Sequence, residues 1–165
     1  MKTKILKHHS ISIMPVCKTL LIAVILFLSV IGAANANPFG GDDLNFIGSS
    51  NFKHQYPQAT YVTYKVKGQF TEVNFIWDNM KLQAFYDLEG NLLATCRPVA
   101  VSNLPVAAQL TLKEQYPTGV ATDAIEYNDP NDGVSYYVNV IGPKNSYLLR
   151  VSTSGNISVF KKMKN

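Results

Sequence analysis

Hydrophobic residues follow two different spacings along the chain, and the two alternate in a fixed order. A spacing of four, typical of a helix, separates Phe52 from Tyr56 and Ala108 from Leu112. A Tyr-Pro pair ends each of these stretches, because proline disfavours the helical conformation at the residue before it. Alternation with a period of two then predicts strands at 62–67, 72–77, 81–87 and 92–96, and again at 120–127, 134–141, 146–152 and 156–161.

This order of one helix and four strands occurs twice. The segment FKHQYP begins at Phe52, and the related segment LKEQYP begins at Leu112, sixty positions later. A Gly-Asn pair recurs before the last strand of each unit, at Gly90 and at Gly155, sixty-five positions apart. The five additional residues fall in predicted loops, where insertions are tolerated. The pattern therefore predicts an internal duplication.

We predict an α+β fold, an antiparallel sheet built from two tandem units of one helix and four strands. Strands and helices do not alternate in the way that a parallel sheet requires. The predicted boundaries are a signal peptide at 1–36, a flexible N-terminus at 37–45, a first repeat at 46–97, a linker at 98–105, a second repeat at 106–161 and a tail at 162–165.

Residues 1–36 have the layout of a secretory signal peptide. Four lysines precede or flank the start of an apolar run that begins at Leu20, and Ala34-Asn35-Ala36 provides the small residues that a signal peptidase reads. The apolar run is about a dozen residues long, shorter than the roughly 20 residues of a membrane-spanning helix. We expect cleavage after Ala36 and a periplasmic or secreted protein without a membrane attachment afterwards.

The charge balance argues against a nucleic-acid partner. The chain has 15 Lys and Arg residues and 11 Asp and Glu residues, but the four lysines of 1–36 account for the whole excess. The remaining residues carry 11 charges of each sign. A basic footprint for a phosphate backbone is therefore not expected.

Several motifs besides the signal peptide and the Tyr-Pro pairs are distinctive: Phe85-Tyr86-Asp87, Gly90-Asn91-Leu92 and Asn103-Leu104-Pro105. Together they resemble the PepSY-like, β-lactamase-inhibitor-like proteins exported by Bacteroidetes-type bacteria, over nearly all of 46–161. The resemblance implies helices packed on one face of the sheet and an opposite face, here called the distal face, that is open and concave. In the inhibitor that gives the fold its name, the open face binds a partner enzyme.

Alternation assigns side chains to the two faces. Trp77 shares a face with Val73 and Phe75, which places it in the core between sheet and helices. The distal face then carries large aromatic residues among polar ones, a composition found at protein interfaces. Such rings can also pair across strands and simply stabilise the sheet. The predicted partner-binding residues are Tyr61, Lys65, Phe70, Phe85, Tyr137, Asn139 and Arg150.

Few residues suggest chemistry. His54 is the only histidine after the signal peptide and has no nearby carboxylate, so we interpret it as a surface residue and predict no catalytic residue, metal site or cofactor. Cys96 alternates with Leu92 and Ala94, which favours a small buried side chain. The acidic loop at 128–133 has oxygen ligands for calcium, but its residues are equally those of a plain turn.

We therefore expect an exported, non-catalytic binding module that recognises a protein or peptide through the distal face, and modulation of a periplasmic enzyme is one version of this function. The alternative is an envelope protein that binds or senses a small molecule, a glycan or a metal. A hydrolase that uses carboxylates is a third interpretation, without a motif to support it.

Overall fold

The computed structural model describes residues 44–165, here called the described region. The predicted signal peptide and residues 37–43 lie outside it. The elements, in chain order, are α1 (Ser49–Gln55), β1 (Thr60–Lys67), β2 (Phe70–Trp77), β3 (Met80–Asp87), β4 (Leu92–Val99), a 3-10 turn (Val101–Asn103), α2 (Val106–Gln115), β5 (Val120–Asp129), β6 (Gly133–Ile141), β7 (Asn145–Ser152) and β8 (Ile157–Lys164).

The strands form one eight-stranded antiparallel sheet in the order β1 to β8, so neighbours in sequence are neighbours in the sheet. The predicted α+β fold with two units of one helix and four strands is confirmed. Antiparallel neighbours need only a tight turn between them. Asp78 and Asn79 provide one, since their φ values of 49° and 58° suit a two-residue hairpin.

Both Tyr-Pro pairs end a helix. The N–H of Tyr56 donates to the carbonyl of Phe52 at 2.8 Å, and the N–H of Tyr116 donates to the carbonyl of Leu112 at 2.9 Å. Tyr56 then leaves the helical conformation with φ −129° and ψ 64°, and Tyr116 does so with φ −128° and ψ 59°. The equivalent residues of the two units therefore have almost the same backbone conformation, as a duplication predicts.

Both helices pack on one face of the sheet, here called the helix face. The cluster under α1 contains the buried residues Phe46, Phe52, Val73, Phe75, Ala84 and Tyr86. The cluster under α2 contains Leu104, Ala108, Leu112, Ala124, Tyr136, Val138, Val140, Leu149 and Val151. Where the units meet, the guanidinium of Arg97 donates to both carboxylate oxygens of Glu126 at 2.7 and 2.9 Å, which raises the pKa of Arg97.

Strand ends extend beyond the predicted boundaries at several places. β4 continues through Val99, and β8 continues through Lys164, so part of the predicted linker and of the predicted tail belongs to the sheet. At the start of the described region Leu44 packs against the cluster under α1, and the carbonyl of Asn45 accepts a hydrogen bond from the Tyr64 hydroxyl at 3.3 Å.

The predicted alternation of Leu92, Ala94 and Cys96 is wrong in one place. Tyr86 pairs with Leu92, but its neighbour Phe85 pairs with Ala94, so Leu93 is an extra residue in β4. This β-bulge reverses the alternation, because a slip of one residue exchanges the two sides of a strand. Leu92 consequently points toward the helices, whereas Ala94 and Cys96 lie on the distal face.

Trp77 lies on the helix face, as predicted. It packs against the cluster under α1, and its ring lies edge-on to Tyr56 with 5.6 Å between the ring centroids. Its side chain is half-buried because it stands at the end of β2.

Replacing Trp77 with alanine should lower the free energy of unfolding by about 2–3 kcal/mol, somewhat less than a fully buried tryptophan loses. Denaturant unfolding followed by circular dichroism measures the change. Val66→Ala is the control, because Val66 is 60% exposed on β1 and should cost about 0.5 kcal/mol or less. A Trp77→Ala midpoint as unchanged as that of the control would contradict the assignment of this face.

Candidate functional site

Cross-strand pairing places most of the predicted site residues on the distal face. Lys65 pairs with Glu72, which in turn pairs with Phe85, and directly paired residues project to the same side of a sheet. In the second unit Tyr137 pairs with Arg150. Alternation adds the residues two positions away, so one surface carries Lys65, Phe70, Phe85, Tyr137, Asn139 and Arg150.

Tyr61 is different from the other six. It lies where the register between β1 and β2 shifts, between Thr60 and Thr63, and this shift removes Tyr61 from the alternation that predicted its face. Its φ of 53° is in the left-handed region, which bulky residues rarely adopt. The side chain is 48% exposed. Tyr61 is therefore an exposed ring on a strained backbone at the edge of the sheet.

Aromatic rings form the centre of the distal face. The rings of Phe70 and Phe85 meet edge-to-face at 5.8 Å, and the ring of Tyr137 lies 5.9 Å from Tyr127 and 5.4 Å from Phe160. Exposure is only 5% for Phe70, 0% for Phe85 and 3% for Tyr137. The expectation that these three rings are exposed is wrong, and large rings on neighbouring strands contribute to this burial by covering one another.

A hydrogen-bonded polar cluster lies beside these rings. Glu72 is buried, and its carboxylate accepts hydrogen bonds from Gln83 Nε2 at 2.8 Å and from Asn74 Nδ2 at 3.2 Å. Lys67 forms an ion pair with the other carboxylate oxygen. Gln83 also donates to Asn74 Oδ1 at 3.0 Å. The buried charge is therefore matched, which is what its removal from water requires.

The exposed residues of the distal face lie toward its margins. Lys65 is exposed on β1, the first strand of the sheet, and Arg150 is exposed on β7. Asn139 on β6 is half-buried. The distal face thus combines a tightly packed aromatic and polar centre with charged side chains that reach solvent.

Glu72 and His54 lie on opposite sides of the sheet. The carboxylate of Glu72 is held by three donors, and His54 is exposed on α1, on the helix face. Among residues 44–165 no group of three or more His, Cys, Asp or Glu side chains could hold a metal ion. The loop at 128–133, for which a plain turn and a calcium loop were both considered, is a turn in which Asp129 Oδ1 accepts the N–H groups of Asn131 and Asp132 at 2.8 and 3.2 Å.

Three further buried residues of this face were not predicted from the sequence, and they are Ile125, Tyr127 and Leu148. The register of β5 shifts between Ala121 and Asp123, so alternation counted from the start of that strand is unreliable. The pairing of Tyr127 with Cys96 places Tyr127 on the distal face, and that pairing joins two strands of different units. A pattern within one strand could not have revealed it.

Comparison with known proteins gives structural relatives only. No family model and no curated protein matches the chain. A BLIP-like protein from Bacteroides fragilis is 25% identical with a TM-score of 0.63, over 70% of this chain and 84% of that one. A DUF2874 family protein from Bacteroides ovatus is 18% identical with a TM-score of 0.64, over 75% and 89% of the two chains. A Bacteroides eggerthii protein predicted to be periplasmic is 12% identical with a TM-score of 0.62, over 73% and 88%.

These structures confirm the resemblance to BLIP-like proteins of Bacteroides that the sequence motifs indicated. The PepSY label stays a prediction. Neither helix of the described region is long and apolar enough to cross a membrane.

Proposed function

We propose that this protein is an exported, non-catalytic binding module that recognises a protein or peptide through the distal face. Modulation of a periplasmic enzyme is one form that such recognition takes. The observation that carries the proposal is the distribution of the elements in residues 44–165. Both helices pack on the helix face, while the distal face presents a packed aromatic centre and charged margins.

The comparisons support the two halves of this proposal separately. Similarity to a BLIP-like protein favours binding over catalysis, because that fold name refers to an inhibitor protein. A relative that is predicted to be periplasmic agrees with the secretory signal expected at 1–36.

Burial indicates which residues a partner would contact. Phe85 and Tyr137 are covered, so they act as a rigid support, whereas Tyr61, Lys65 and Arg150 are exposed. Tyrosine and arginine are common among the residues that dominate binding energy at interfaces. A stiff support favours binding, since less side-chain freedom is lost when the partner docks.

The backbone of Tyr61 gives further support. Its left-handed conformation costs roughly 1–2 kcal/mol for a residue with a Cβ, a cost that glycine would avoid. Strained residues of this kind cluster at ligand clamps and other functional positions. An exposed ring held there is consistent with a contact residue.

The test is affinity capture from a periplasmic extract with the protein and a triple variant, Tyr61→Ser, Lys65→Ser and Arg150→Ser. We expect the variant to recover at least about tenfold less of the captured protein, because truncation of dominant interface residues has effects of this size. Phe85→Ser and Tyr137→Ser are unsuitable, since replacing buried rings would report unfolding instead of lost contacts.

The matched control is a triple serine variant on the exposed side of α2, Val106→Ser, Leu110→Ser and Lys113→Ser. Val106 and Leu110 are 71% and 61% exposed and belong to the element on the opposite side of the sheet. Circular dichroism and unfolding midpoints confirm that both variants fold. Equal capture by the protein and the variant at Tyr61, Lys65 and Arg150, or loss of capture in the α2 variant, would contradict the proposal.

A further inference from the structure

Charged residues are distributed unevenly between the two ends of the described region. Residues 133–165 contain five basic residues and no Asp or Glu, whereas residues 44–132 contain six basic and nine acidic residues. The overall balance of charge therefore conceals a positive C-terminal segment and a negative remainder.

The positive charges gather at one edge of the sheet. Lys161, Lys162 and Lys164 are exposed on β8, and Lys144 is exposed in the turn before β7. Asn145 pairs with Lys164, so Lys144 lies close to the end of β8. The ion pairs within residues 44–165 are those of Lys67 with Glu72 and of Arg97 with Glu126, and neither involves this edge.

The edge also offers backbone hydrogen bonds. Within the described region β8 pairs only with β7, so alternate N–H and C=O groups of β8 point away from the sheet. The opposite edge, β1, differs in charge, since Lys67 there is paired with the buried carboxylate of Glu72. On β1 a single lysine, Lys65, is exposed without an ion pair inside residues 44–165. The β8 edge instead combines its free backbone groups with three such lysines of its own and with Lys144 nearby.

We propose that the β8 edge binds an acidic, extended segment of another protein, which adds to the sheet as a ninth strand. In strand addition the backbone supplies affinity and the flanking side chains supply specificity. Lysines on edge strands commonly prevent aggregation, and that role accounts for their presence on β8. It does not explain why residues 133–165 contain no Asp or Glu. Because no carboxylate lies among them, the lysines repel each other, and an acidic strand would neutralise them. The site uses the edge of the sheet and is independent of the distal face.

The probe is an eight-residue peptide of alternating threonine and glutamate with blocked ends, matched in length to Ile157–Lys164. Fluorescence anisotropy measures its binding to the purified protein, and amide NMR shifts locate it. The variant is Lys161→Gln, Lys162→Gln and Lys164→Gln. The control is Lys53→Gln, Lys81→Gln and Lys113→Gln, which removes three exposed lysines outside residues 133–165.

We expect the β8 variant to bind the peptide about tenfold more weakly, since each exposed ion pair contributes a factor of roughly two to three. The control should change binding by about twofold or less, and binding should weaken as salt is raised. Amide shifts should concentrate in β8. A peptide in which proline replaces threonine keeps the charge but lacks half of the N–H donors, and it should bind about tenfold more weakly.

Several results would overturn the proposal. The first is no detectable binding of the peptide at about 1 mM, because specific recognition is tighter than that. The second is an equal loss of peptide affinity in the two lysine variants. The third is a set of amide shifts concentrated in β1. Equal binding of the proline peptide would show that the edge is a diffuse cationic patch. A second copy of the chain, or phosphatidylserine vesicles, could displace the peptide and cause larger amide shifts in β8 than the peptide does. That result would assign the edge to the competing occupant instead.

Discussion

Replacing Phe52 with alanine is expected to lower the free energy of unfolding by about 3–5 kcal/mol, the usual loss for a fully buried phenylalanine. Phe52 is 1% exposed and is the buried residue of α1. Its ring lies 4.9 Å from that of Phe75, 5.5 Å from Tyr56 and 6.4 Å from Tyr86. Because it joins α1 to the sheet, its removal should shift the urea midpoint by roughly 2 M.

Phe52→Leu is the matched control for this prediction. Leucine keeps most of the buried volume, so its cost should stay below about 1.5 kcal/mol. Urea unfolding of the three proteins, followed at two wavelengths, provides the comparison. If the alanine and leucine variants lose the same small amount, α1 does not hold the first unit together in the way its contacts indicate.

Replacing Gly155 with alanine is expected to cost roughly 2–4 kcal/mol, from an unfavourable backbone conformation and a steric clash together. Gly155 has φ +88°, in the region that residues with a Cβ avoid. A Cβ at this position would lie 2.8 Å from the carbonyl oxygen of Ala107 and 2.9 Å from its carbonyl carbon. The turn between β7 and β8 therefore contacts the backbone of α2 directly.

Gly133→Ala separates these two causes. Gly133 also has a positive φ, +76°, but a Cβ there would meet nothing within 4 Å. Its replacement should cost only the conformational part, about 1–2 kcal/mol. Thermal and denaturant unfolding of both variants gives the difference. A Gly155→Ala variant as stable as Gly133→Ala would mean that α2 does not rest on this turn.

The turns at the recurrent Gly-Asn pair were predicted from the sequence, but the reason for the glycine is visible only in the structure. The repetition at Gly90 and Gly155 indicated two equivalent turns, and the structure gives both the same hydrogen bonds. Gly90 N–H donates to the Asp87 carbonyl at 3.2 Å, and Gly155 N–H donates to the Ser152 carbonyl at 3.0 Å. Only the structure shows why glycine is needed beyond the turn. A Cβ on Gly90 would lie 2.9 Å from the Cα of Gly48, the residue that precedes α1.

The candidate site was predicted only in part. Alternation placed Lys65, Phe85 and Tyr137 on the correct face, because the period of a regular strand depends on neighbouring residues alone. It did not predict that Phe85 and Tyr137 are buried, since their cover depends partly on rings from other strands. Tyr61 was predicted as an ordinary strand residue, and the register shift that strains its backbone has no signature in the alternation.

The sequence by itself determined the duplication, the two helices, the eight strands and the turns at Gly90 and Gly155. The helices, strands and turns are local properties, set by residues within a few positions of each other, and the duplication is the repetition of such local patterns. The tertiary structure alone decided the face of Cys96, the burial of the distal rings and the gathering of lysines at the β8 edge. These depend on which strands lie side by side and on single extra residues that reverse a face. Which strands pair, and in which register, is determined by the free energy of contacts between distant parts of the chain. No local pattern specifies it.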